Sequence, residues 1–480
     1  MPSAELSDSA GEPEVGLGAM TLKGGTYLAL RHALEILLGL VGMPIIARSI
    51  GPGSYGLWTA ALQVFLFGRR VSGMGLDVYL MRKEGTPDPR TYHQAFTLLA
   101  ILGFIGAGVF VAIFPAIDQW MKLDGLKHVT LAYMVGLPLA VTTVVPLAIL
   151  ERRLDYRRAA TIELAGRVAF YGIAIPLAYA QFGVWAPVLG FWGQQVGLAL
   201  SLYAASGYRP RVYFNPLMAR EMLTYGFRYS CSTWIWNLRD LVNPLVVARY
   251  AGPAAVGYVG LAERITIAVS FAKTAAWRLS LVVLGRLQGD RARLCRAVSR
   301  GLRLQLVAIS PPLLALGLVL PLLLPWALGE RWAPVARIYP FIAAGCIVNS
   351  MFTLQSSSLY VLDLTRAATK FNTLHIVLFA AVTALSVPHL GYLGYGIGEL
   401  VALISYVLLD RYFKRLIGSV DYGSSPAIAF AVVLGLFWIF GGWPLMVPLL
   451  FLGLSPKTWR FARGFGPKVL AGLNGSWSAR

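Results

Sequence analysis

The sequence ARSIGPGSYG at residues 47–56 recurs as ARYAGPAAVG at residues 248–257. Five of the ten positions are identical at an offset of 201 residues, and a proline stands shortly before each copy, at Pro44 and Pro244. Gly-Pro turns also occur independently in membrane proteins, but here each copy joins two long apolar segments. The match therefore indicates an internal repeat.

The composition around these turns is that of a membrane protein. Hydrophobic residues make up 57% of the 480-residue chain and charged residues only 13%, and the mean hydropathy is +0.64. Such a chain is too apolar to be disordered and too apolar for the cores of a soluble enzyme. A formal charge of +20 is also found in nucleic-acid-binding proteins, but in so apolar a chain it indicates basic cytoplasmic loops.

Apolar runs long enough to cross a bilayer recur along the whole chain. Each is predicted to be a helix, because an isolated strand would leave its backbone unpaired in lipid. We predict an all-α, polytopic fold with fourteen transmembrane helices, or twelve if the last two short segments do not span. The predicted spans are residues 22–47, 55–80, 94–117, 129–150, 159–181, 184–206, 223–247, 257–285, 302–325, 338–361, 371–388, 391–410, 425–441 and 442–455.

The loops between these spans fall into two classes by charge. The tails and the loops after spans 2, 4, 6, 8, 10 and 12 contain 27 Lys and Arg residues, whereas the other loops contain 6. Basic loops remain in the cytoplasm. Both termini are therefore predicted to be cytoplasmic, in a multi-pass protein of the cytoplasmic (inner) membrane.

The repeat divides the chain into two halves with one orientation, since an even number of spans separates its copies. Parallel repeats of this kind are a transporter architecture. We predict two pseudo-symmetric six-helix bundles, here called the first half (residues 22–206) and the second half (residues 223–412). The remaining predicted segments are a disordered cytoplasmic tail at residues 1–21, a two-helix hairpin at residues 425–455 and a basic cytoplasmic tail at residues 456–480.

Fifteen charged residues fall inside the predicted spans. Each costs roughly 2.5–3.5 kcal/mol at mid-membrane, so they must pair with one another or line a water-filled cavity. The basic ones are Arg31, Arg69, Arg70, Arg167, Arg228, Arg239, Arg264, Lys273 and Arg278, and the acidic ones are Glu35, Asp77, Glu163, Asp240, Glu263 and Glu399.

Several segments resemble the polysaccharide-exporting branch of the multidrug/oligosaccharidyl-lipid/polysaccharide superfamily, which includes O-antigen and exopolysaccharide flippases. They are PIIARSIGPGSYG (44–56), GMGLD (73–77), LERRLDYRR (150–158), LGERW (328–332) and GYLGYG (391–396). The resemblance implies a V-shaped pair of bundles like that of the multidrug exporters of this superfamily. It also implies that an undecaprenyl-diphosphate-linked oligosaccharide is turned from the inner to the outer leaflet for cell-surface polysaccharide biosynthesis.

The basic residues inside the spans suit such a substrate, because arginine can bind a diphosphate bidentately. At 100° per residue, Arg228, Ser232, Trp236, Arg239 and Asn243 share one face of span 7, and Glu263, Arg264 and Arg278 share one face of span 8. Spans 1, 2, 7 and 8 are the equivalent first hairpins of the halves, so we expect a cationic cavity between them that works by alternating access. The predicted substrate-binding residues are Arg31, Arg69, Arg70, Arg228, Trp236, Arg239, Asn243, Arg264, Lys273 and Arg278.

A driving ion, whether proton or sodium, would need a carboxylate within the membrane. The candidates are Glu35, Asp77, Asp240 and Glu263, and each of them is equally a candidate salt-bridge partner. Structural pairing also stays open for the arginines, because Arg31 and Glu35 have the i,i+4 spacing of a pair that neutralises itself.

Other classes of function find little support in the sequence. Cys231, Cys295 and Cys346 lie far apart, no Gly-rich phosphate loop is present, and the loops are short, so we predict no enzyme activity, no cofactor and no metal site. The alternatives are an ion-coupled multidrug exporter of the same superfamily, disfavoured by the nine basic residues inside the spans, and a non-transporting scaffold of a polysaccharide assembly. The expected partners are lipid-linked oligosaccharide, membrane lipids and a polysaccharide polymerase or assembly complex, and not nucleic acid.

Overall fold

A computed structural model describes residues 14–83, 85, 88–121, 123–270, 284–285, 287 and 289–454, without the side chains of residues 14–30, 32, 33, 232 and 452–454. All regular elements of the described residues are helical, which confirms the all-α prediction. The α-helices are α1 Glu14–Gly73, α2 Leu76–Arg82, α3 Pro89–Met121, α4 Leu126–Val135, α5 Leu137–Thr142, α6 Val144–Arg152, α7 Tyr156–Tyr179, α8 Trp185–Ser206, α9 Pro216–Asn237, α10 Ala248–Val269, α11 Arg291–Leu328, α12 Pro334–Val361, α13 Thr365–Leu390, α14 Tyr392–Ala402, α15 Ser405–Leu416, α16 Ser425–Leu436, α17 Trp438–Gly441 and α18 Val447–Leu454.

Nine helical segments of the described chain are long and apolar enough to cross a membrane. Two of them, Leu34–Gly73 and Thr233–Val269, have 40 and 37 residues. At 1.5 Å per residue, a straight helix of that length is nearly twice as long as the roughly 30 Å hydrocarbon core is thick. Each segment therefore contains parts of two predicted spans.

The break between the two spans lies at the repeated turn in both cases. Gly51 has φ 76° and ψ 169°, and Gly252, at the equivalent position, has φ 80° and ψ 175°. Only glycine adopts such angles without strain, and the proline that follows each glycine suits the first turn of the next helix. The two copies thus share a backbone conformation as well as a sequence, which confirms the internal repeat.

The predictions differ from the structure most clearly at the two ends of the chain. Helix α1 already includes residues from Glu14 onwards, inside the segment predicted to be a disordered tail, so that prediction is wrong for residues 14–21. The predicted tail at residues 456–480 lies outside the described residues. Helices α16 and α18 have 12 and 8 residues, each shorter than the roughly 20 residues of a spanning helix, so the predicted span count there stays a prediction.

Hydrogen bonds place the loops predicted for one side of the membrane at one end of the molecule, here called the basic end. Arg152, in the loop after span 4, donates to the carbonyl oxygens of Leu80 at 2.7 Å and Lys83 at 2.8 Å, after span 2. Arg153 donates to the carbonyl oxygen of Ser206, after span 6, at 3.0 Å. The loops after spans 2, 4 and 6, which the sequence groups together by their basic residues, are thus also neighbours in the structure.

The loops of the other class meet at the opposite end, here called the non-basic end. Arg48 donates to the carbonyl oxygen of Ala327 at 3.1 Å, and the Trp120 indole donates to that of Leu245 at 3.1 Å. The first contact joins loop 1 to loop 9, and the second joins loop 3 to the end of span 7. One continuous hydrophobic core runs through both halves, and a smaller one lies in the second half around Leu359, Phe371 and Phe413.

Candidate translocation site

The two repeated turns pack directly against each other at the non-basic end. A Cβ atom added at Gly56 would overlap the carbonyl oxygen of Pro253, and one added at Gly257 would lie 2.5 Å from that of Pro52. Backbone therefore touches backbone across the boundary between the halves. No side chain larger than hydrogen fits at either glycine without moving the halves apart.

The halves are also in contact at the basic end, through a second pair of glycines. Helix α1 ends at Gly73, and Met74 and Gly75 adopt φ angles of 45° and 64° before α2 begins. A Cβ at Gly226 would overlap the carbonyl oxygen of Met74, and one at Gly75 would lie 2.8 Å from Ser230 Oγ. The structure is therefore closed by backbone contacts at both ends.

One ion pair joins the halves between these two contacts. Arg70 donates from Nη1 to Asp240 Oδ2 at 2.8 Å, with side chains that are 43% and 36% exposed. The Trp234 indole donates to the Arg70 carbonyl oxygen at 3.3 Å. Two residues predicted for different roles, substrate binding and ion coupling, are thus partners in this state.

Span 7 does not present the single polar face that constant helical geometry predicts. After Asn237 the helix tightens into a 3₁₀ segment, Leu238–Leu241, and then widens into a π segment, Asn243–Val247. A 3₁₀ turn has about 3.0 residues instead of 3.6, and a π segment has more, so the side-chain directions diverge. The single face predicted for Arg228, Arg239 and Asn243 assumed a constant helical rotation, which this segment does not have.

Arg239 is held inside the second half. Its guanidinium pairs with Glu399, whose side chain is only 7% exposed, and lies 5.2 Å from the ring centroid of Phe379. The neighbouring Tyr395 hydroxyl donates to Glu263 Oε1 at 2.5 Å. The second half thus contains a polar cluster of one arginine, two carboxylates and one tyrosine.

Trp236 and Asn243 are packing residues of the second half in this state. The Trp236 ring stacks on His375, with centroids 5.4 Å apart, and His375 Nδ1 is 2.9 Å from Ser405 Oγ. Asn243 is buried and its Nδ2 lies 3.4 Å from the carbonyl oxygen of Val256. Neither side chain is placed for sugar stacking or diphosphate binding while the halves are closed.

Arg264 is directed to the first half, unlike its neighbour Glu263. Its guanidinium lies 4.8 Å from the ring centroid of Trp58, and the Trp58 indole donates to the Tyr133 hydroxyl at 2.8 Å. Among the described residues, no carboxylate pairs with Arg264. The prediction that Glu263 and Arg264 share a face is wrong, because consecutive helix residues diverge by about 100° and here contact different halves.

The remaining predicted residues have mixed surroundings. Arg31 pairs with Glu163 and lies 3.9 Å from Glu35, which fits the structural-pairing alternative. Arg69 is half-buried with no ion-pair partner among the described residues, and Asp77 is exposed. Lys273 and Arg278 lie outside the described residues.

Arg228 lies in a different place from the other predicted residues. It lines a cavity of about 620 Å³ at the basic end, together with Arg82, Leu217, Arg220, Glu221, Thr224, Tyr225 and Tyr229. This cavity joins helix α2 of the first half to helix α9, which leads into the second half.

A family model described as "Polysaccharide biosynthesis protein" matches residues 45–337 of the chain. The chain belongs to this family. The matched region contains both copies of the Gly-Pro repeat and the helices that carry Arg70, Arg239 and Arg264.

Two relatives of the chain have names that state a biosynthetic process. The lipopolysaccharide biosynthesis protein WzxC of Escherichia coli (strain K12) is 22% identical over 416 residues, which cover 84% of this chain and 83% of WzxC. The succinoglycan biosynthesis transport protein ExoT of Rhizobium meliloti (strain 1021) is 25% identical over 299 residues, 62% of this chain and 60% of ExoT.

Solved structures confirm the fold. The lipid II flippase MurJ in an inward closed conformation aligns with a TM-score of 0.71, covering 94% of this chain and 100% of MurJ at 14% identity. An inward-facing multidrug resistance MATE transporter aligns with a TM-score of 0.62, covering 81% of this chain and 98% of the transporter at 16% identity. The chain therefore has the fold of these transporters, as the resemblance implied.

Two parts of the site were not singled out from the sequence. The sequence analysis counts Glu399 among the acids inside the spans but predicts no role for it. The mostly buried Arg239 requires an ion-pair partner, and the structure shows that Glu399 is that partner. Arg82 and Arg220 were counted as loop charge. The signal for the cavity was the pair of tyrosines, Tyr225 and Tyr229, spaced i,i+4 beside Arg228 on one helix.

Proposed function

We propose that this family member is a flippase that moves an undecaprenyl-diphosphate-linked oligosaccharide across the cytoplasmic membrane for cell-surface polysaccharide biosynthesis. The observation that carries the proposal is the closure of the two halves by glycine contacts at both ends, Gly56 with Pro253 and Gly226 with Met74. Opening either contact alone would expose the space between the halves to one side of the membrane. That is the geometry of alternating access.

The charges between the two contacts support an anionic substrate. Arg69 and Arg264 have no carboxylate partner among the described residues, and Arg70 would be released if its pair with Asp240 opened with the halves. A diphosphate can replace Asp240 as the partner of Arg70, because phosphate and carboxylate oxygens accept the same forked hydrogen bonds. The polyprenyl chain would remain in the lipid.

The orientation and the division into halves belong to the proposal. The basic end faces the cytoplasm, by the distribution of basic residues over the loops, and both termini lie on that side. Residues 22–206 and 223–412 are the two moving bundles. A polysaccharide polymerase or assembly complex receives the product on the other side.

The structure favours different roles for the predicted residues. Arg69, Arg70 and Arg264 are the proposed contacts of the substrate within the membrane. Among the coupling candidates, Glu263 and Asp240 have hydrogen-bond partners that change if the halves separate or the second half rearranges. An ion that competes with Arg70 for Asp240 would favour opening.

The proposal is tested by measuring lipid-linked sugars in cells. A deletion strain should accumulate an undecaprenyl-diphosphate oligosaccharide, detected by mass spectrometry of extracted lipids, and a plasmid copy should reverse the accumulation. An unchanged lipid pool combined with new sensitivity to cationic drugs would contradict the proposal and favour a drug exporter. A plasmid copy of Arg264→Ala tests the site in the same assay.

A further inference from the structure

The cavity at the basic end is formed by residues from both sides of the boundary between the halves. Arg82 is the last residue of α2, and Arg220 and Arg228 lie two helical turns apart on α9. The volume of about 620 Å³ lies within the roughly 300–1,000 Å³ of small-molecule sites. It is larger than a diphosphate alone requires.

The cavity carries a net positive charge that the protein does not neutralise. None of the carboxylates in the described chain forms an ion pair with Arg82, Arg220 or Arg228. The one acid in its wall, Glu221, accepts from the Tyr79 hydroxyl at 2.6 Å and lies 3.9 Å from Lys83 Nζ. The negative charge of Glu221 is therefore already balanced, and three guanidinium groups remain for an anion.

The wall of the cavity is fixed where it meets the boundary. Tyr225 packs edge-on against Tyr79, with centroids 5.5 Å apart. Tyr229 lies within 3.2 Å of the position that a Cβ of Gly75 would occupy. Arg228 follows Gly226, which touches Met74, by only two residues. The cavity thus adjoins the glycine contact that closes the basic end.

We propose that this cavity is a capture site for the diphosphate of the lipid-linked substrate before the substrate passes between the halves. The inference rests on the proposed function and adds a second, peripheral site to it. Arg220 and Arg228 bind the diphosphate from α9 and Arg82 binds it from α2, so that the bound anion bridges the boundary. The first sugar lies against Tyr225 and Tyr229, and the polyprenyl chain stays in the adjoining leaflet.

Several observations favour a diphosphate over the general attraction of basic loops to a membrane surface. The three guanidinium groups are exposed, but they come from two helices and line one and the same cavity. Three guanidinium groups can donate more hydrogen bonds than a monophosphate headgroup can accept well. Each guanidinium can also donate two parallel hydrogen bonds to the oxygens of one phosphate. The aromatic wall supplies a surface for a sugar ring, which a phospholipid headgroup does not require.

The experiment uses the full-length protein in nanodiscs of uncharged phosphatidylcholine. Binding of farnesyl diphosphate is measured by native mass spectrometry, with farnesyl monophosphate and inorganic pyrophosphate as comparison ligands. The variants are Arg220→Ala and the double variant Arg82→Ala/Arg228→Ala. The matched control is Arg209→Ala, an exposed arginine at the same end that does not line the cavity.

Arg220→Ala should weaken farnesyl diphosphate binding by about 10-fold or more, the usual effect of losing one charge-assisted hydrogen bond. The double variant should weaken it further, and Arg209→Ala should leave it unchanged. Equal binding by all proteins would overturn the proposal. So would inorganic pyrophosphate or farnesyl monophosphate binding as tightly as farnesyl diphosphate, because the site would then recognise free phosphate or any lipid monophosphate.

The two proposals can fail separately. If Arg220→Ala loses farnesyl diphosphate binding but the deletion strain accumulates no lipid-linked sugar, the cavity binds a lipid diphosphate but the flippase function, and with it the capture role, is wrong. If the deletion strain accumulates the sugar but the cavity variants bind farnesyl diphosphate normally, the function stands and the capture site is wrong. Arg220→Lys, which keeps the charge but not the fork, should restore binding only in part.

Discussion

Arg70 donates a hydrogen bond to Asp240 at 2.8 Å, and this ion pair joins helix α1 of the first half to the 3₁₀ segment of the second half. The pair lies between two layers of glycine contacts that close the molecule at its ends. It is half-exposed, so it contributes little to stability, about 0–1 kcal/mol for pairs of this kind. Because the pair crosses the boundary between the halves, we expect it to shift the equilibrium between open and closed states towards the closed state.

Reversing the two charges tests this role. Arg70→Asp and Asp240→Arg should each reduce surface polysaccharide strongly, because each places two like charges across the boundary. The double variant should recover part of the export, measured as surface polysaccharide per unit of membrane protein. A double variant no better than either single variant would mean that Arg70 and Asp240 act independently.

Gly56 gives a test of the closed state that does not depend on charge. Gly56→Ala forces its Cβ into the backbone of Pro253, and overpacking of this kind costs about 1–3 kcal/mol. The melting temperature of the purified protein should therefore fall. Gly53→Ala is the matched control, because an added Cβ there has nothing within 4 Å, and its melting temperature should not fall. Equal melting temperatures for the two variants would contradict the observed packing.

Arg239 is expected to behave as a structural residue. The sequence predicts Arg239 as a substrate-binding residue, but its loss leaves the nearly buried Glu399 without a partner. Breaking a buried pair from one side costs about 3–5 kcal/mol, whereas replacing both partners by apolar residues is often neutral. Arg239→Ala should therefore lower the amount of folded protein, and Arg239→Met/Glu399→Leu should restore it, as measured by fluorescence-detected size exclusion. Normal levels of Arg239→Ala would return this residue to the substrate site.

Arg264 should show the opposite behaviour. It has no ion-pair partner among the described residues and stacks only on Trp58, an interaction that contributes about 0.5–2 kcal/mol. Arg264→Ala should leave the protein level close to normal but abolish export, and Arg264→Lys should recover part of it because the charge remains. Full export by Arg264→Ala would exclude this arginine from the substrate path.

The sequence predicted the parts of this architecture that depend on local or periodic properties. A glycine followed by a proline specifies the break at Gly51 and at Gly252, and the alternation of basic loops reports which loops lie at one end. The pairing of Arg239 with Glu399 spans 160 residues, and no periodicity links two residues that far apart. The change of helix type around Leu238–Val247 has only Pro244 as a local signal, since proline removes one backbone donor.

The difference between local properties and contacts between distant residues also explains why the site was predicted only in part. Counting the charges inside the spans correctly identified which side chains needed a partner or water, because that requirement follows from burial alone. Which of them pair depends on the rotation of each helix and on the contact between the halves. Arg264 and Arg239 were therefore grouped together, although one contacts the first half and the other is enclosed in the second.

The loop between α15 and α16 offers a test outside the membrane, through pH. The Arg303 guanidinium pairs with Asp421, and its hydrogen bond, together with that from the Gly423 backbone, holds the pKa of the Asp421 carboxyl below its ordinary value. A carboxyl whose folded pKa is lowered stabilises the protein above its unfolded pKa of about 3.9. That contribution is lost as the pH falls through the folded pKa.

Asp421→Asn should therefore lower the melting temperature between about pH 5 and pH 7, and the difference from the unaltered protein should shrink as the pH falls below about 3.9 and vanish below the folded pKa of Asp421. The difference will be small, because the Asp421 side chain is 75% exposed and solvent screens the pair. Asp124→Asn is the control, since Asp124 forms no ion pair with any other described residue. A difference that persists unchanged at pH 3 would assign the effect to the altered hydrogen bonds of the loop instead of to the charge of Asp421.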